Sequence, residues 1–264
     1  MKHNLKLAIQ ASIDAGNEIM NIYTSDFGYE LKNDSSPLTI ADRRANDIIN
    51  KYLIETNIPI ISEENAQISY KIRKDWDVCW IVDPLDGTKE FINRNGEFTV
   101  NIALVEDGVP ILGVIYVPVE KKLYYADVKK KETYYTILGS IPKSIDKIVD
   151  SAILIKSESK VSNKIRVVGS RSHMNDETLN FIKDLKSRNN EIEIISRGSS
   201  LKFCLVVENK ADIYPRFAPT MEWDTAAAQA ICKASGVNIL SIKTNKELIY
   251  NKENLLNPWF VCKK

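Results

Sequence analysis

Two aspartates three residues apart, Asp83 and Asp86, close the segment Trp80-Ile81-Val82-Asp83-Pro84-Leu85-Asp86-Gly87-Thr88. The apolar run predicts a buried strand ending at Asp83, with Pro84 turning the chain and Gly87-Thr88 opening a helix. Two carboxylates in a stiff turn beside a helix start suit a hard divalent cation that holds a phosphate. The bland alternative is a strand-end cap at Asp83 and an ordinary turn residue at Asp86. Asp83 directly follows Ile81-Val82, however, so its carboxylate belongs at the edge of a core, where it needs a partner.

Other acids stand at the ends of predicted elements. Glu63-Glu64 follows a short apolar strand candidate at 58–61 and in isolation reads as a solvated loop. Asp224 precedes a clean helical pattern and in isolation reads as an N-cap. Asp42 follows Thr39 at the spacing of a capping box. In a layered α/β architecture such ends gather on one edge. Converging carboxylates repel one another unless cations neutralise them.

The elements that must position these residues alternate in type. Leu5, Ala8, Ile9, Ser12, Ile13, Gly16, Ile19, Met20 and Tyr23 recur at helical spacing, predicting an amphipathic helix at the start. Ser35-Ser36-Pro37 reads as a loop, and Thr39 to Asp42 as the start of a second helix carrying Ala45, Ile48, Ile49 and Tyr52. Segments 98–105 and 111–116 around Asp107-Gly108 predict a hairpin, and 123–126 and 134–138 continue the antiparallel pattern. The polar stretch 156–164 reads as a boundary, giving an N-terminal α+β lobe at 1–160 and a C-terminal α/β lobe at 161–264. In the second lobe, strands at 165–168, 192–195 and 237–240 alternate with helices at 177–186, 200–208 and 225–233.

Composition narrows the partners. The 264 residues are 44% hydrophobic and 27% charged with a net charge of +1, the profile of a globular protein without a global field for nucleic-acid polymers or anionic membranes. Anion recognition must therefore be local. Cys79, Cys204, Cys232 and Cys262 form no C-x-x-C pair, which argues against a zinc site or disulfide framework. No apolar run reaches membrane-spanning length and the start lacks a signal-peptide core, so a reducing cytoplasm is expected, with a peripheral place at the inner membrane left open.

The strings WIVDPLDGTKEF at 80–91 and EWDTAA at 222–227 resemble the inositol monophosphatase superfamily of magnesium-dependent, lithium-sensitive phosphatases. Within it the chain is most similar to the bacterial 3′(2′),5′-bisphosphate nucleotidases of the CysQ type. SPLTIAD at 36–42, ISEE at 61–64 and the continuation to Tyr116 extend the likeness. So do GSRSH at 169–173, GSSLKFC at 198–204, YPR at 214–216 and LNPWF at 256–260. Inositol monophosphatases typically carry Asn-Phe after the Gly-Thr, where this chain has Lys89-Glu90-Phe91.

The resemblance implies a two-lobed α-β-α-β-α sandwich shared with fructose-1,6-bisphosphatase, and removal of the 3′-phosphate from adenosine 3′,5′-bisphosphate, a by-product of sulfate activation. It implies about two or three magnesium ions per site. Glu63, Asp83 and the Leu85 carbonyl would hold the first and Asp83, Asp86 and Asp224 the second, with Glu64 in support. Asp42 and Thr88 match the dyad that orients and deprotonates the attacking water. Glu63, Leu85, Asp86, Gly87, Thr88 and Asp224 would surround the substrate phosphate, while His173, Ser199, Lys202 and Arg216 would contact the nucleotide. Composition alone would make Lys202 a solvated surface lysine. Asn209 and Ala228 replace usual glycines without removing a ligand. A monomer or homodimer acting on a small nucleotide is expected, with an inositol or sugar monophosphatase, or a non-catalytic nucleotide sensor, as alternatives.

Overall fold

The computed structural model describes residues 2–25, 28–31, 37–139, 144–156, 164–169, 175–187 and 191–264. Helix α1 (Lys2–Tyr23) and a hairpin of β1 (Tyr29–Leu31) and β2 (Pro37–Thr39) lead into α2 (Ile40–Leu53). Next come β3 (Ile60–Ser62), α3 (Tyr70–Arg73), β4 (Val78–Asp86) and α4 (Thr88–Ile92). The antiparallel run β5 (Thr99–Glu106), β6 (Val109–Val117), β7 (Lys122–Asp127) and β8 (Glu132–Ile137) is followed by α5 (Ile145–Asp150) and β9 (Ile153–Leu154). The remainder holds β10 (Lys164–Gly169), α6 (Asp176–Ser187), β11 (Glu191–Ser196), α7 (Leu201–Val207), β12 (Ile213–Arg216), α8 (Ala226–Ala234), β13 (Asn238–Ser241) and β14 (Phe260–Lys263).

These strands form a seven-stranded sheet in the order β3 to β9 and a five-stranded sheet ordered β11-β10-β12-β14-β13. Side chains alternate across the first sheet. Trp80, Val82, Val100, Ile102, Val114 and Tyr125 face α1 and α2 in one core. Cys79, Ile81, Ala103, Val105, Ile115 and Tyr124 face the other way, into a core shared with α7, α8 and the second sheet's Tyr214, Phe260 and Cys262. A third core sets Ile182, Phe181 and Leu185 of α6 against Val167 and Ile213. Because α7 and α8 lie within the middle core, between the two sheets, the layers run α-β-α-β-α.

Two glycines let helices close onto the sheet. A Cβ at Gly16 would lie 2.4 Å from the Tyr116 ring, and one at Gly113 would lie 2.4 Å from the Ala227 carbonyl. Thus α1 packs tightly on one face of β6 and α8 on the other.

The structure corrects the turn expected at Asp83. Strand β4 runs on through Pro84 to Asp86, with a register shift against β5: Asp83 pairs with Asn101 and Asp86 with Thr99. Proline cannot donate to the ladder, and one extra residue bulges the strand here. Strands β12 and β14 were not anticipated; each has four residues, and Pro215 sits within β12. The expected boundary at 156–164 falls largely outside the described residues. All four cysteines are free and buried. No described helix is long and apolar enough to cross a membrane.

Candidate active site

Five acids from four chain segments share one electrostatic neighbourhood. Asp42 lies in the first turn of α2, Glu63 just after β3, Asp83 and Asp86 on β4, and Asp224 just before α8. Burial, then the charges of Glu63, Asp86, Asp224 and Asp42, push the Asp83 carboxyl well above the usual carboxylate range. Burial, then Asp86 and Glu63, push Asp224 up to about 8. The backbone N–H of Glu63 donates to Val82 O at 3.2 Å, tying its segment to β4.

The three aspartates expected as metal ligands each accept from a backbone N–H. Asp83 Oδ1 accepts from Leu85 N at 3.1 Å, Asp86 Oδ2 from Ser200 N at 2.6 Å, and Asp224 Oδ2 from Met221 N at 2.8 Å. In that arrangement no three Asp, Glu, His or Cys side chains among the described residues stand in metal-holding geometry. The assembled donors are nonetheless all hard oxygens, the carboxylates together with the Leu85 carbonyl, and their mutual repulsion is what a divalent cation relieves. That chemistry fits magnesium and not a thiophilic metal.

The expected pairing of Asp42 with Thr88 is present. Thr88 Oγ1 donates to Asp42 Oδ1 at 3.0 Å and lies 3.4 Å from Leu85 O. The second Asp42 oxygen accepts from Thr39 N at 2.7 Å, so the carboxylate also completes a capping box with the N-cap Thr39. Asp42 thus caps the helix through Oδ2 and meets Thr88 through Oδ1. Burial raises the Asp42 carboxyl above its ordinary range, against the Thr39 hydrogen bonds that lower it. The charge of Glu64 adds to the rise. Gly87 caps the five-residue α4 with φ 97°, a left-handed conformation that favours glycine.

A pocket lined by two of these acids also brings two cations beside them. Its lining includes Asp86, Ser199, Lys202, Tyr214, Arg216 and Asp224. Composition alone would leave Lys202 at the solvated surface, but the residue is buried, 5% exposed. Its Nζ donates to Ser199 O at 2.6 Å and stands 5.4 Å from the Tyr214 ring centroid. Burial pulls its pKa down to about 8. The N-cap that Asp224 suggests in isolation is not formed, because α8 begins at Ala226 and its cap residue is Thr225.

Two polar atoms in this pocket have no partner. Ser199 Oγ and Arg216 Nε are buried without a hydrogen bond among the described residues. Arg216 Nη2 donates to Pro219 O at 3.1 Å. Unmet buried donors cost free energy until a ligand arrives. His173 lies outside the described residues.

Sequence reasoning passed over Glu90, Tyr214 and Phe260 as lining residues, and Ser200, Thr99 and Asn101 as hydrogen-bond partners of Asp86. A signal existed for the last two, since Thr99 and Asn101 are polar positions on one face of an otherwise apolar strand.

The model of the inositol monophosphatase family matches residues 1–259. The chain belongs to the inositol monophosphatase family. One solved member, CysQ from Bacteroides thetaiotaomicron, is 47% identical and superposes with a TM-score of 0.89, covering 100% of this chain and 97% of its own. The 3′(2′),5′-bisphosphate nucleotidase CysQ of Salmonella typhimurium is 41% identical over 263 residues, 97% of this chain and 98% of the relative. The Escherichia coli K12 protein of the same name is 40% identical over 258 residues, covering 95% and 96%. The five-layer fold described above is therefore that of this phosphatase family, as the motifs implied.

Proposed function

We propose that the protein is a magnesium-dependent phosphatase that hydrolyses the 3′-phosphate of adenosine 3′,5′-bisphosphate, or of its sulfated parent, to leave the 5′-nucleotide and phosphate. The observation that carries this reading is the pocket where buried Lys202 and the unmet Arg216 Nε and Ser199 Oγ adjoin Asp86 and Asp224. A monophosphate needs the acidic group alone. The Lys202 and Arg216 side of the pocket suits a second phosphate on the same molecule. The names of relatives at about 40% identity support the same substrate class.

Glu63, Asp83 and the Leu85 carbonyl would hold one magnesium ion, and Asp83, Asp86 and Asp224 would hold a second. When bound, such a pair supplies Lewis acidity and neutralises the charge of an in-line phosphoryl transfer. The protein's own groups do the rest. Thr88 Oγ accepts a hydrogen bond from the attacking water while donating to Asp42, and Asp42 receives the water's proton through that hydroxyl. The water oxygen bonds to phosphorus as the bond to the ribose 3′-oxygen breaks. Gly87 lets the backbone approach the phosphate closely, and Lys202, Arg216 and Ser199, with His173, receive the 5′-phosphate.

Purified protein with magnesium and adenosine 3′,5′-bisphosphate should release AMP and phosphate in equal amounts. Nucleotide binding without phosphate release would overturn the enzyme reading in favour of a sensor. A phosphorylated side chain trapped by rapid quench would overturn direct attack by water.

A further inference from the structure

We infer that Ser200 is a positioning residue that fixes Asp86 relative to Asp224 and thereby sets how tightly the cleft holds a divalent cation. The inference rests on the phosphatase reading above and assigns a task to a residue outside the expected ligand set.

Ser200 is 1% exposed and stands at the N-terminal end of α7. Its N–H donates to Asp86 Oδ2 at 2.6 Å, and its hydroxyl donates to the backbone carbonyl of Asp224 at 3.1 Å. One residue thus holds an acid of the seven-stranded sheet and the segment that leads into α8. Asn101 completes the strut. Its Nδ2 donates to Ser200 Oγ at 3.0 Å and to Asp86 Oδ2 at 3.3 Å, and its Oδ1 lies 3.0 Å from Thr99 Oγ1. Both amide hydrogens and the amide oxygen of Asn101 are used, so the proton directions are determined: Asn101 donates, and the Ser200 hydroxyl is left to donate to Asp224.

The turn before Ser200 is held by contacts and not by its own preference. Ser199 has φ 40°, a region that L residues rarely adopt. Gly198 N donates to Glu97 Oε2 at 2.8 Å, and Lys202 Nζ donates to Ser199 O. A Cβ at Gly198 would lie 2.7 Å from Glu90 Cγ, so the turn is also packed from below. Asp86 and Asp224 line one pocket, where two carboxylates repel each other. Without a strut, two like charges on separate elements relax apart. With Asp86 Oδ2 tied by two donors, Ser200 N and Asn101 Nδ2, its other oxygen is the one presented to a cation.

The test measures Mn²⁺ binding to the substrate-free full chain by electron paramagnetic resonance, for the unaltered protein and for Ser200→Ala. The variant keeps the backbone N–H and loses the hydroxyl. Its Mn²⁺ affinity should fall about 10-fold, the usual effect of removing a residue that orients a metal ligand. Its KM for the nucleotide at saturating magnesium should stay within about twofold. Ser200→Cys, which keeps the volume and weakens the hydrogen bond, should fall between the two and serves if the alanine variant fails to fold. Equal Mn²⁺ affinity in the variants and the unaltered protein overturns the inference alone. An unaltered protein that binds no Mn²⁺ overturns the phosphatase reading, and the inference with it.

Discussion

Thr88 Oγ1 donates to Asp42 Oδ1 at 3.0 Å across 46 residues of sequence, joining the first residue of α4 to the first turn of α2. Both ends are fixed by backbone geometry, Thr88 by the left-handed Gly87 before it and Asp42 by its bonds to Thr39. The hydroxyl is therefore oriented before any substrate arrives. Thr88→Ala should lower kcat by about 10²–10⁴, the span of general acid–base contributions, with KM changed by less than about threefold. Thr88→Ser keeps the hydroxyl and should retain most of the rate. Steady-state kinetics on the two variants check this, and equal losses would remove the hydroxyl from the account.

Lys202 and Arg216 lie in the pocket beyond the acids. Losing one charge-assisted hydrogen bond costs about 1.5–3 kcal/mol, or about 10–100-fold in affinity. Lys202→Ala and Arg216→Ala should each raise KM for adenosine 3′,5′-bisphosphate by that factor. For a small ester such as p-nitrophenyl phosphate the change should be under about threefold, because that ester has no second phosphate. Equal losses on both substrates would argue against a 5′-phosphate role.

The acids also make stability depend on pH and on cation. Asp83 and Asp224 have carboxyls raised above their unfolded values, Asp224 to about 8. A raised carboxyl binds more protons in the folded state, so the stability it contributes is present at low pH and is lost as pH climbs through the folded pKa. Glu208 and Asp212, whose carboxyls are lowered, act oppositely, but only at more acid pH. Without added metal, the melting temperature should fall between about pH 5 and about pH 8. Magnesium should restore it most at the alkaline end. Differential scanning fluorimetry with and without EDTA reads both effects, and a cation effect independent of pH would contradict the acidic cluster as its source.

Gly113 is where α8, the helix behind Asp224, touches the seven-stranded sheet. A Cβ there would meet Ala227 O at 2.4 Å and Ala230 Cβ at 2.8 Å. Gly113→Val should destabilise by about 1–3 kcal/mol or more, through overpacking that pushes the helix away. Thermal or urea unfolding measures this, and phosphate release should fall with it as Asp224 moves.

Much of this site is legible in sequence because local patterning decides it. The Thr39 to Asp42 capping box, the Asp107-Gly108 hairpin and the left-handed Asn209, with φ 58°, follow from short-range chemistry. What local patterning misreads depends on distant packing. Lys202 looks like a surface cation until α7 is buried between the two sheets. Asp224 looks like a cap until Thr225 takes the cap position. Pro84 looks like a turn, yet a bulge carries β4 past it, because β5 offers Asn101 and Thr99 as partners for Asp83 and Asp86. Ser200 was invisible, since its role lies in two hydrogen bonds to residues 114 positions before it and 24 after.

Lys202 and Arg216, in the pocket that Asp86 and Asp224 also line, select a bisphosphorylated nucleotide. The direct test is the ratio of kcat/KM for adenosine 3′,5′-bisphosphate to that for inositol 1-phosphate, measured with magnesium on the same preparation. The account predicts a ratio above about 100, since the inositol ester leaves Lys202, Arg216 and Ser199 without a phosphate partner. A ratio near or below one would contradict it and make the protein a general or inositol monophosphatase.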